Sequence, residues 1–416
     1  MQILLIGAGK SSTHIIEALS NMSSVYNYGF VVADLSASNL SDRCSGHQCE
    51  QVLLKNGSMD ELEPYISASF LVISMLPPSF HVAVAKLCLV HKVHLITPSY
   101  ISQDMQAMDS EVKNAGLIFL NEMGLDPGID HMCCMKIIDE QKSKGSKIIS
   151  LRSHCGALIS PQSDTNLWHY KVSWNPRNIV LAGAGSDFIK YRLDGKDVLL
   201  NYNELFSHAS QMKIDAYLYE SYPNRDSLKY ERTYDIVGVE TLYRGTLRVP
   251  PFCKAWNVLV NLGATSTVKP FPKIEKAELS NDLELIAMLE ELGVFDLHVH
   301  NGIAYEVLQM AIEKKWAMNN MDIDRVVMIH ELVTEDNKGR PQITSSLILD
   351  GENQLHTALS KTVGLPIVFA VELILQNSIS QRGVLLPIHK EFYEPILEKL
   401  SKHGIMFKEY KTICSK

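Results

Sequence analysis

The feature that most constrains the fold is a glycine-rich loop near the start of the chain. Residues 2–6 are a short apolar run, Gly7-Ala8-Gly9-Lys10-Ser11-Ser12 follow it, and residues 11–20 have helical spacing. A second strand-like run, residues 29–34, comes next. In this context Gly7 permits a tight turn, Gly9 lets the backbone approach a pyrophosphate, and the small Ser12 stands in place of a third glycine. The order therefore predicts a β-α-β unit that binds a dinucleotide at the helix N-terminus.

The acid that ends the second strand bears on the choice of cofactor. At the position of Asp34, a carboxylate accepts hydrogen bonds from adenosine ribose hydroxyls, and its charge would repel a 2′-phosphate. The nearest base, Arg43, lies several residues beyond the usual phosphate-binding position. We therefore expect an oxidoreductase that prefers NAD to NADP. Leu76, near the end of a further strand, is a candidate contact for the nicotinamide half; alternatively, that strand ends at Pro77 without touching the cofactor.

Strand-like and helical patterns alternate through residues 1–124, which predicts an α/β fold with a Rossmann-type doubly wound parallel sheet. Residues 125–364 are expected to form a second, α+β substrate-binding domain, with a helical insertion near residues 270–325. Residues 365–416 are expected to complete the first domain with helices. The strand-like runs of the second domain are residues 148–154, 179–182, 197–200, 325–335 and 342–349.

The composition excludes several classes of function. A formal net charge of −8 without a basic stripe gives no electrostatic footprint for nucleic acid. No apolar run is judged long enough for a membrane span, and the eight cysteines stand at irregular positions, as reduced thiols do. We expect a cytoplasmic protein that binds neither nucleic acid nor membrane. Cys44, His47 and Cys49 suggest zinc, but no second ligand pair follows at zinc-site spacing, so no metal is predicted.

Polar clusters fall where predicted strands end or loops begin, and ligands of such sheets bind beyond the carboxyl ends of strands. The clusters are residues 97–100, 121–131 and 154–156. Further on, Arg225, Arg244 and Arg248 lie in two short segments, residues 222–227 and 243–248, that look turn-rich. Because a guanidinium group can pair with a carboxylate through two hydrogen bonds, these arginines indicate a substrate that carries carboxylates.

Each candidate also has a purely structural interpretation. Asp126, followed by Pro127 and a periodic run, is typical of a helix N-cap. His131 can pack inside that helix, Tyr100 can be an amphipathic core residue, and Cys155 can be a buried small apolar residue. The arginines can be solvated or paired with nearby acids, namely Asp226, Glu231 or Glu240.

Motifs along nearly the whole chain, in order, resemble those of the glutamate-forming saccharopine dehydrogenases, also called saccharopine reductases. They are the glycine loop, LITPSYIS, NEMGLDPGIDHM, SHCGAL, HYKVSWNP, SYPNRDSLKY, YRGTLR and LSKTVGLPIVFAVELIL. The resemblance implies a Rossmann domain completed by C-terminal helices, a large α/β substrate domain and a homodimer. It implies substrate contacts at Ser99, Tyr100, Asp126, Arg225, Thr246, Leu247 and Arg248, and cofactor contacts at Leu125, Asp126, Pro127 and Ser173.

The implied reaction is NAD-dependent oxidation of saccharopine to glutamate and 2-aminoadipate 6-semialdehyde, or the reverse reductive condensation, in lysine metabolism. The group that takes the amine proton and activates water is expected to be Asp126, then Tyr100, then Cys155. Arg225 and Arg248 would hold substrate carboxylates. Arg244 and Lys171 are second-rank candidates for that role.

The chain departs from the family pattern between residues 156 and 169. Cys155-Gly156-Ala157-Leu158-Ile159-Ser160-Pro161-Gln162 stands where the family has Cys-Gly-Gly-Leu-Pro-Ala-Pro-Glu, and Asn166-Leu167-Trp168-His169-Tyr170 replaces Asn-Pro-Leu-Gly-Tyr. Apart from this departure, two alternative functions stay open. One is a Rossmann imine reductase of the carboxynorspermidine dehydrogenase type, which the arginines disfavour; the other is a non-catalytic NAD-binding sensor, which the presence of Tyr100 and Asp126 disfavours.

Overall fold

The computed structural model describes residues 1–184, 188–279, 282–337 and 339–413. The chain divides into two compact units, each with its own sheet. The Rossmann unit comprises residues 1–137 and 358–406, and the mixed-sheet unit comprises residues 138–357 and 407–416. Residues 280, 281 and 414–416, which fall in the predicted helical insertion and C-terminal segment, lie outside the described residues.

The strands and helices over the described residues are as follows. The strands are β1 (Gln2–Ile6), β2 (Gly29–Asp34), β3 (Glu50–Leu53), β4 (Leu71–Ser74), β5 (His94–Ile96), β6 (Ile118–Leu120), β7 (Lys147–Ile159), β8 (Phe188–Leu193), β9 (Lys196–Asn201), β10 (Ser210–Ile214), β11 (Tyr217–Pro223), β12 (Thr241–Arg248), β13 (Asp324–Glu335), β14 (Pro341–Asp350), β15 (Gly383–Leu385) and β16 (Lys408–Ile413). The helices are α1 (Thr13–Tyr26), α2 (Ala37–Cys44), α3 (Met59–Ser67), α4 (Pro78–Val90), α5 (Gln103–Ala107), α6 (Asp109–Asn114), α7 (Ile129–Ser143), α8 (Pro176–Val180), α9 (Tyr230–Thr233), α10 (Phe252–Asn261), α11 (Leu283–Leu292), α12 (Ala304–Lys315), α13 (Ala358–Leu375) and α14 (Lys390–Lys402).

The Rossmann unit is built on a seven-stranded parallel sheet. Its strands run in the order β15-β6-β5-β4-β1-β2-β3. The central strands β1 and β4 are buried along almost their whole length, because helices cover both faces of a parallel sheet. The strand order reverses between β1 and β4, which is where doubly wound folds bind their ligands. The predicted α/β fold class, with a Rossmann-type sheet, is confirmed.

Helix α13 has a mean hydropathy of 1.8 over 18 residues and is long and apolar enough to cross a membrane by its length and composition. The sequence-based expectation that no apolar run is long enough for a membrane span is therefore wrong by that measure. In the structure, 78% of the helix is buried within the protein. Gly364 permits close packing on α1, since a Cβ there would lie 3.0 Å from Cγ1 of Ile15. Helix α13 therefore packs as a core helix of the Rossmann unit.

The mixed-sheet unit is built on nine strands. Seven of them run in the order β10-β11-β12-β7-β13-β14-β16, and β8 joins β12 to β9. Only β7 and β12 pair in parallel within the described sheet; the other pairs are antiparallel. An aromatic core containing Trp168, Trp256 and Trp316 lies against this sheet. This arrangement confirms the predicted second α+β domain.

Three segments differ from their predicted structure. Residues 179–182, predicted as a strand, form the end of α8 and a turn, because Asn175 caps that helix and Pro176 occupies its first position. Residues 243–248, interpreted as turn-rich, lie within β12 between β11 and β7. Residues 408–413, expected in the first domain, form β16, which pairs with β14 in the mixed-sheet unit.

The boundaries between the two units also differ from the predicted ones. The chain passes from the Rossmann unit to the mixed-sheet unit after residue 137 and returns after residue 357, whereas the sequence indicated residues 124 and 364.

Candidate active site

The glycine loop lies at the carboxyl end of β1 and leads into α1. Gly7 has a φ of 101°, and its amide donates to the carbonyl of Ala33 at 2.8 Å. A Cβ added to Gly7 would lie 3.1 Å from the Met75 carbonyl oxygen, whereas one added to Gly9 would have nothing within 4 Å. Ser12 donates its hydroxyl to the Gly7 carbonyl at 2.8 Å. The loop is therefore closed by its own hydrogen bonds and leaves open space at Gly9.

The first turn of α1 has the properties of an anion site. The hydroxyl of Ser12 makes no capping bond within the described structure, and no acid stands in the first turn. Thr13 Oγ1 is buried and lacks a hydrogen-bond partner among the described residues. Because the amides at a helix N-terminus carry partial positive charge, a pyrophosphate there would be stabilised. The loop thus fits the dinucleotide contacts predicted at Gly7, Gly9, Lys10, Ser11 and Ser12.

Asp34 is bound by the backbone on two sides. Its Oδ2 accepts the amide of Ala8 at 2.6 Å, and its Oδ1 accepts the amide of Ser36 at 2.7 Å. The side chain of Asn39 donates to the same Oδ1 at 3.3 Å and accepts from Nη1 of Arg43 at 3.3 Å. Asp34 therefore holds the glycine loop against the start of α2. The side chain of Asn39 links the guanidinium group of Arg43 to the Asp34 carboxylate.

A buried histidine joins the ends of β4 and β5. His81 Nδ1 is 2.9 Å from Ser74 Oγ, while its Nε2 is 2.7 Å from Ser99 Oγ and 3.0 Å from Thr97 Oγ1. Burial lowers the pKa of His81 to about 4, so the imidazole is neutral near pH 7. This ring holds the Ser99 hydroxyl at the carboxyl edge of the sheet. Leu76, at the same edge, is half-buried and packs against the apolar core.

The loop between β6 and α7 brings two predicted residues together. The hydroxyl of Tyr100 donates to Oδ1 of Asp126 at 3.0 Å. Helix α7 begins at Ile129, so Asp126 does not occupy the N-cap position. Asp130 Oδ1 instead accepts the amide of Gly128 at 2.6 Å in this turn. Leu125 and Pro127, the other predicted residues here, are buried in the same loop.

Two buried arginines lie on β12 of the mixed-sheet unit. Arg244 and Arg248 are each 3% exposed, and because side chains alternate along a strand, they share a face with Thr246. The guanidinium carbon of Arg244 lies 4.5 Å from the ring centre of Tyr230. Leu247, also a predicted contact, points to the opposite face and belongs to the apolar core.

Arg248 is surrounded by aromatic rings. Its guanidinium carbon lies 5.1 Å from the ring centre of Tyr170, 5.5 Å from that of Tyr222 and 5.2 Å from that of Phe252. Nη1 donates to the Leu247 carbonyl at 2.8 Å, while Nε is buried without a hydrogen-bond partner in the described part of the chain. Since a buried charge is costly unless it is paired, this guanidinium is ready to bind a carboxylate.

The other predicted residues of the mixed-sheet unit occupy different surroundings. Cys155 is buried in β7, where it pairs with Thr246. Ser173 is buried, and its Oγ has no partner among the described residues. Lys171, a second-rank candidate, donates to Asp322 at 2.7 Å in a buried ion pair. Arg225 is exposed just after β11 and has a φ of 52°, which a non-glycine residue adopts only at a cost.

The segment that departs from the family pattern is largely structural. A Cβ on Gly156 would lie 2.8 Å from Cβ of Leu247, which explains a small residue there. Trp168 is fully buried in the aromatic core, and its indole donates to the Met288 carbonyl at 2.8 Å. His169 Nδ1 lies 2.7 Å from Asp164 Oδ2. Trp168 and His169 therefore anchor this loop by their own contacts.

Comparison with known proteins identifies the family. The family described as the saccharopine dehydrogenase NADP binding domain matches residues 3–120, and the saccharopine dehydrogenase C-terminal domain matches residues 124–405. This chain belongs to the saccharopine dehydrogenase family. The resemblance seen in the sequence motifs is thereby confirmed, and with it the class of oxidoreductase.

Individual relatives agree with this assignment. The saccharopine dehydrogenase (NADP(+), L-glutamate-forming) of Pyricularia oryzae is 34% identical over 388 residues, which cover 84% of this chain and 86% of that one. The apo saccharopine dehydrogenase (L-Glu forming) of Saccharomyces cerevisiae has a TM-score of 0.87 at 27% identity, over 99% of both chains. The alpha-aminoadipic semialdehyde synthase of Arabidopsis thaliana is 31% identical over 430 residues; the match covers 91% of this chain but only 40% of that longer protein.

The predicted preference for NAD over NADP is wrong for this saccharopine dehydrogenase family member. The matching domain is described as NADP binding, and the name of the Pyricularia oryzae relative specifies NADP(+). The prediction rested on an Asp34 carboxylate free to face the adenosine ribose and on a distant Arg43. In the structure both carboxylate oxygens accept backbone amides, and Arg43 is linked to Asp34 through Asn39.

Several side chains around the predicted contacts were not among the candidates that the sequence indicated. His81 was detectable in principle, because it stands in the first turns of the helix after β4 and faces hydroxyl residues that end two neighbouring strands. The rings around Arg248 come from three separate segments of the chain, so no local spacing indicates them. In the residues that the structure covers, no three His, Cys, Asp or Glu side chains cluster as metal ligands do.

Proposed function

We propose that this chain is an NADP(H)-dependent saccharopine dehydrogenase of the L-glutamate-forming type. It would convert saccharopine, NADP⁺ and water to L-glutamate, 2-aminoadipate 6-semialdehyde and NADPH with release of a proton, or run the reverse reductive condensation. The observation that carries the proposal is the buried Arg248 guanidinium, whose Nε lacks a partner among the described residues. A substrate with several carboxylates supplies the partner that this group requires.

The glycine loop supports the cofactor part of the proposal. When bound, the nicotinamide ring accepts or returns the hydride of the lysine-side carbon beside the secondary amine. The amides that begin α1, the hydroxyl of Thr13 and the open space at Gly9 would hold the pyrophosphate. His81 would keep the Ser99 hydroxyl oriented at the sheet edge.

The Tyr100 and Asp126 pair supports the proton-transfer part. Oxidation at the amine requires that its proton leave, and hydrolysis of the resulting imine requires a base that activates water. Asp126 would accept that proton, and the hydrogen bond that its Oδ1 accepts from the Tyr100 hydroxyl would orient the carboxylate for this role. The phenol can then return a proton to the departing glutamate nitrogen. Cys155, buried in β7 beside Thr246, ranks below both.

The arginines distinguish this proposal from the alternative of a carboxynorspermidine dehydrogenase type of enzyme. Arg248 would bind one substrate carboxylate, and Arg244, on the same face of β12, is a candidate for a second. Arg225, exposed after β11, is the third candidate clamp. Lys171 drops out of this set, because Asp322 already pairs with it. A carboxynorspermidine-type substrate carries ammonium groups that buried guanidinium groups would repel.

The purified chain, incubated with saccharopine and either NADP⁺ or NAD⁺, tests the proposal through the absorbance of the reduced nicotinamide. We expect saccharopine-dependent reduction of NADP⁺ and release of glutamate in equal amounts. Cofactor binding without oxidation of saccharopine, and without its formation in the reverse reaction, would favour the non-catalytic sensor instead.

We further propose that the enzyme acts in lysine metabolism as a cytoplasmic homodimer. Light scattering would test the homodimer, and cell fractionation would test the location.

A further inference from the structure

A buried carboxylate after β6 makes contacts that the proposed mechanism does not use. Glu122 is fully buried and has a φ of 54°, a left-handed conformation that disfavours glutamate. Its Oε1 accepts the amide of Ile101 at 3.0 Å, and its Oε2 lies 2.7 Å from Nε2 of His131. Because apolar residues can replace buried charges without loss of stability, a strained and buried glutamate indicates a role other than stability.

Glu122 holds the backbone on both sides of Tyr100. Its own amide donates to the Ser99 carbonyl at 3.1 Å, and its carboxylate accepts the amide of Ile101. One residue thus supplies the anchor before Tyr100 and the anchor after it. The phenol between these anchors is the group that donates to Asp126.

His131 in turn fixes the carboxylate of Glu122 to the first turn of α7. The imidazole is fully buried, and because a carboxylate can only accept a hydrogen bond, Nε2 carries the hydrogen toward Glu122. The Nδ1 side faces Asp130 Oδ2 at 3.6 Å. Asp130 also binds the amide of Gly128, two residues after Asp126. The same group of contacts therefore reaches the backbone that carries each member of the Tyr100 and Asp126 pair.

We propose that Glu122 and His131 are positioning residues that fix the backbone around Tyr100 and so maintain its hydrogen bond to Asp126. The effect on turnover rests on the proposed function, whereas the effect on the backbone does not. A clamp of this kind acts by geometry, since a displacement of about 1 Å at a reacting group can cost roughly 100-fold in rate.

The test compares Glu122→Ala, Glu122→Gln and His131→Gln with a matched control, Glu61→Ala. Glu61 also holds a loop through its carboxylate, which accepts the amides of Lys55, Asn56 and Gly57, and it lies outside the candidate site. We expect Glu122→Ala to lower kcat by about 100-fold and to leave the dissociation constant of NADPH within about twofold. Glu122→Gln, which retains an acceptor for the Ile101 amide, should recover kcat to within about tenfold of the wild type.

A second measurement does not depend on activity. Hydrogen–deuterium exchange of residues 98–104 should be faster in Glu122→Ala and His131→Gln than in the wild type, and unchanged in Glu61→Ala.

Two outcomes would overturn the proposal: wild-type exchange in both Glu122→Ala and His131→Gln, or wild-type kcat in Glu122→Ala. Equal losses of kcat and NADPH affinity would reduce Glu122 to a general structural role. If Glu122→Ala does not fold, the test uses Glu122→Gln and His131→Gln. Wild-type hydrogen–deuterium exchange and wild-type kcat in both of these variants would then reject the proposal. A wild-type protein inactive on saccharopine would instead refute the proposed function alone.

Discussion

The hydroxyl of Tyr100 donates a hydrogen bond of 3.0 Å to Oδ1 of Asp126, although 26 positions separate the two residues in the chain. We expect Asp126→Asn, which preserves shape but removes the proton acceptor, to lower kcat by about 100-fold or more, the usual contribution of a general base. The acidic limb of the pH profile of kcat/KM should flatten in this variant. Steady-state rates across a range of pH values measure both effects.

Tyr100→Phe, and the double variant that combines Tyr100→Phe with Asp126→Asn, extend this prediction. If the proton passes through the pair, the double variant should be about as slow as the slower single variant, because residues that act as a unit are not additive. Tyr28→Phe is the matched control, since it also removes a buried phenol hydrogen bond, to the Leu19 carbonyl at 2.6 Å, away from the site. An unchanged rate and pH profile in Asp126→Asn would make Asp126 a purely structural residue.

Arg248→Met is predicted to raise KM for saccharopine by about 10- to 100-fold, because a hydrogen bond to a charged group contributes roughly 1.5–3 kcal/mol. The free energy of unfolding should not fall, since the variant removes a buried charge whose Nε has no partner among the described residues. Arg325→Met is the contrasting variant: it leaves Asp350, bound at 2.6 and 2.8 Å, without its arginine. That variant should lose stability and keep KM. A KM unchanged in Arg248→Met would remove Arg248 from the substrate site.

The elements that the sequence predicted well are those whose signals are local. The β1–α1–β2 unit was recognisable because its strand, glycine turn and helix follow one another within residues 2–34. Segment 243–248 was misjudged because it contains Gly245, and glycine favours turns in isolation. The central position of β12, between β11 and β7, outweighs that preference and buries Arg244 and Arg248.

The candidate site was predictable as a set of residues but not as a set of contacts. Strand-end clusters identified Tyr100 and Asp126, because parallel strands bring their carboxyl ends to one edge. No local pattern could show that Asp34 binds the amide of Ala8, which lies 26 positions away in the chain, so the inference about the cofactor failed. The contact between Glu122 and Ile101 was equally hidden, since it depends on a left-handed backbone conformation at Glu122.

His81 predicts a pH dependence of stability. Burial lowers its pKa from 6.5 to about 4, so the folded protein binds fewer protons than the unfolded chain between these values. The contribution of His81 to the free energy of unfolding is therefore fully present above the upper value and is lost as the pH drops through the window. His81→Gln should reduce the slope within the window by up to about 1.4 kcal/mol per pH unit. Urea unfolding of the wild type and of His81→Gln at several pH values measures the two slopes. Equal slopes of unfolding free energy against pH would contradict the prediction.

Gly7→Ala and Gly9→Ala should separate folding from cofactor binding within one loop. At Gly7 the φ of 101° and the approach of the Met75 carbonyl to 3.1 Å leave no comfortable place for a Cβ. We expect Gly7→Ala to lose roughly 1–3 kcal/mol of unfolding free energy, the usual cost of a side chain in a strained backbone conformation. Denaturant titration of the variant and the wild type gives this difference, and equal stability would show that the loop relaxes.

Gly9→Ala adds the same methyl group two residues later, where nothing in the described structure lies within 4 Å of it. Its unfolding free energy should therefore match that of the wild type. The methyl group would instead occupy the space through which a pyrophosphate approaches the backbone, so the dissociation constant of NADPH should rise by about tenfold or more. Fluorescence titration with NADPH measures it, with the folded Gly9→Ala protein as its own stability control. Wild-type affinity in Gly9→Ala would mean that the phosphates do not approach the loop at this residue, and the anion site at α1 would then have to be assigned to another ligand.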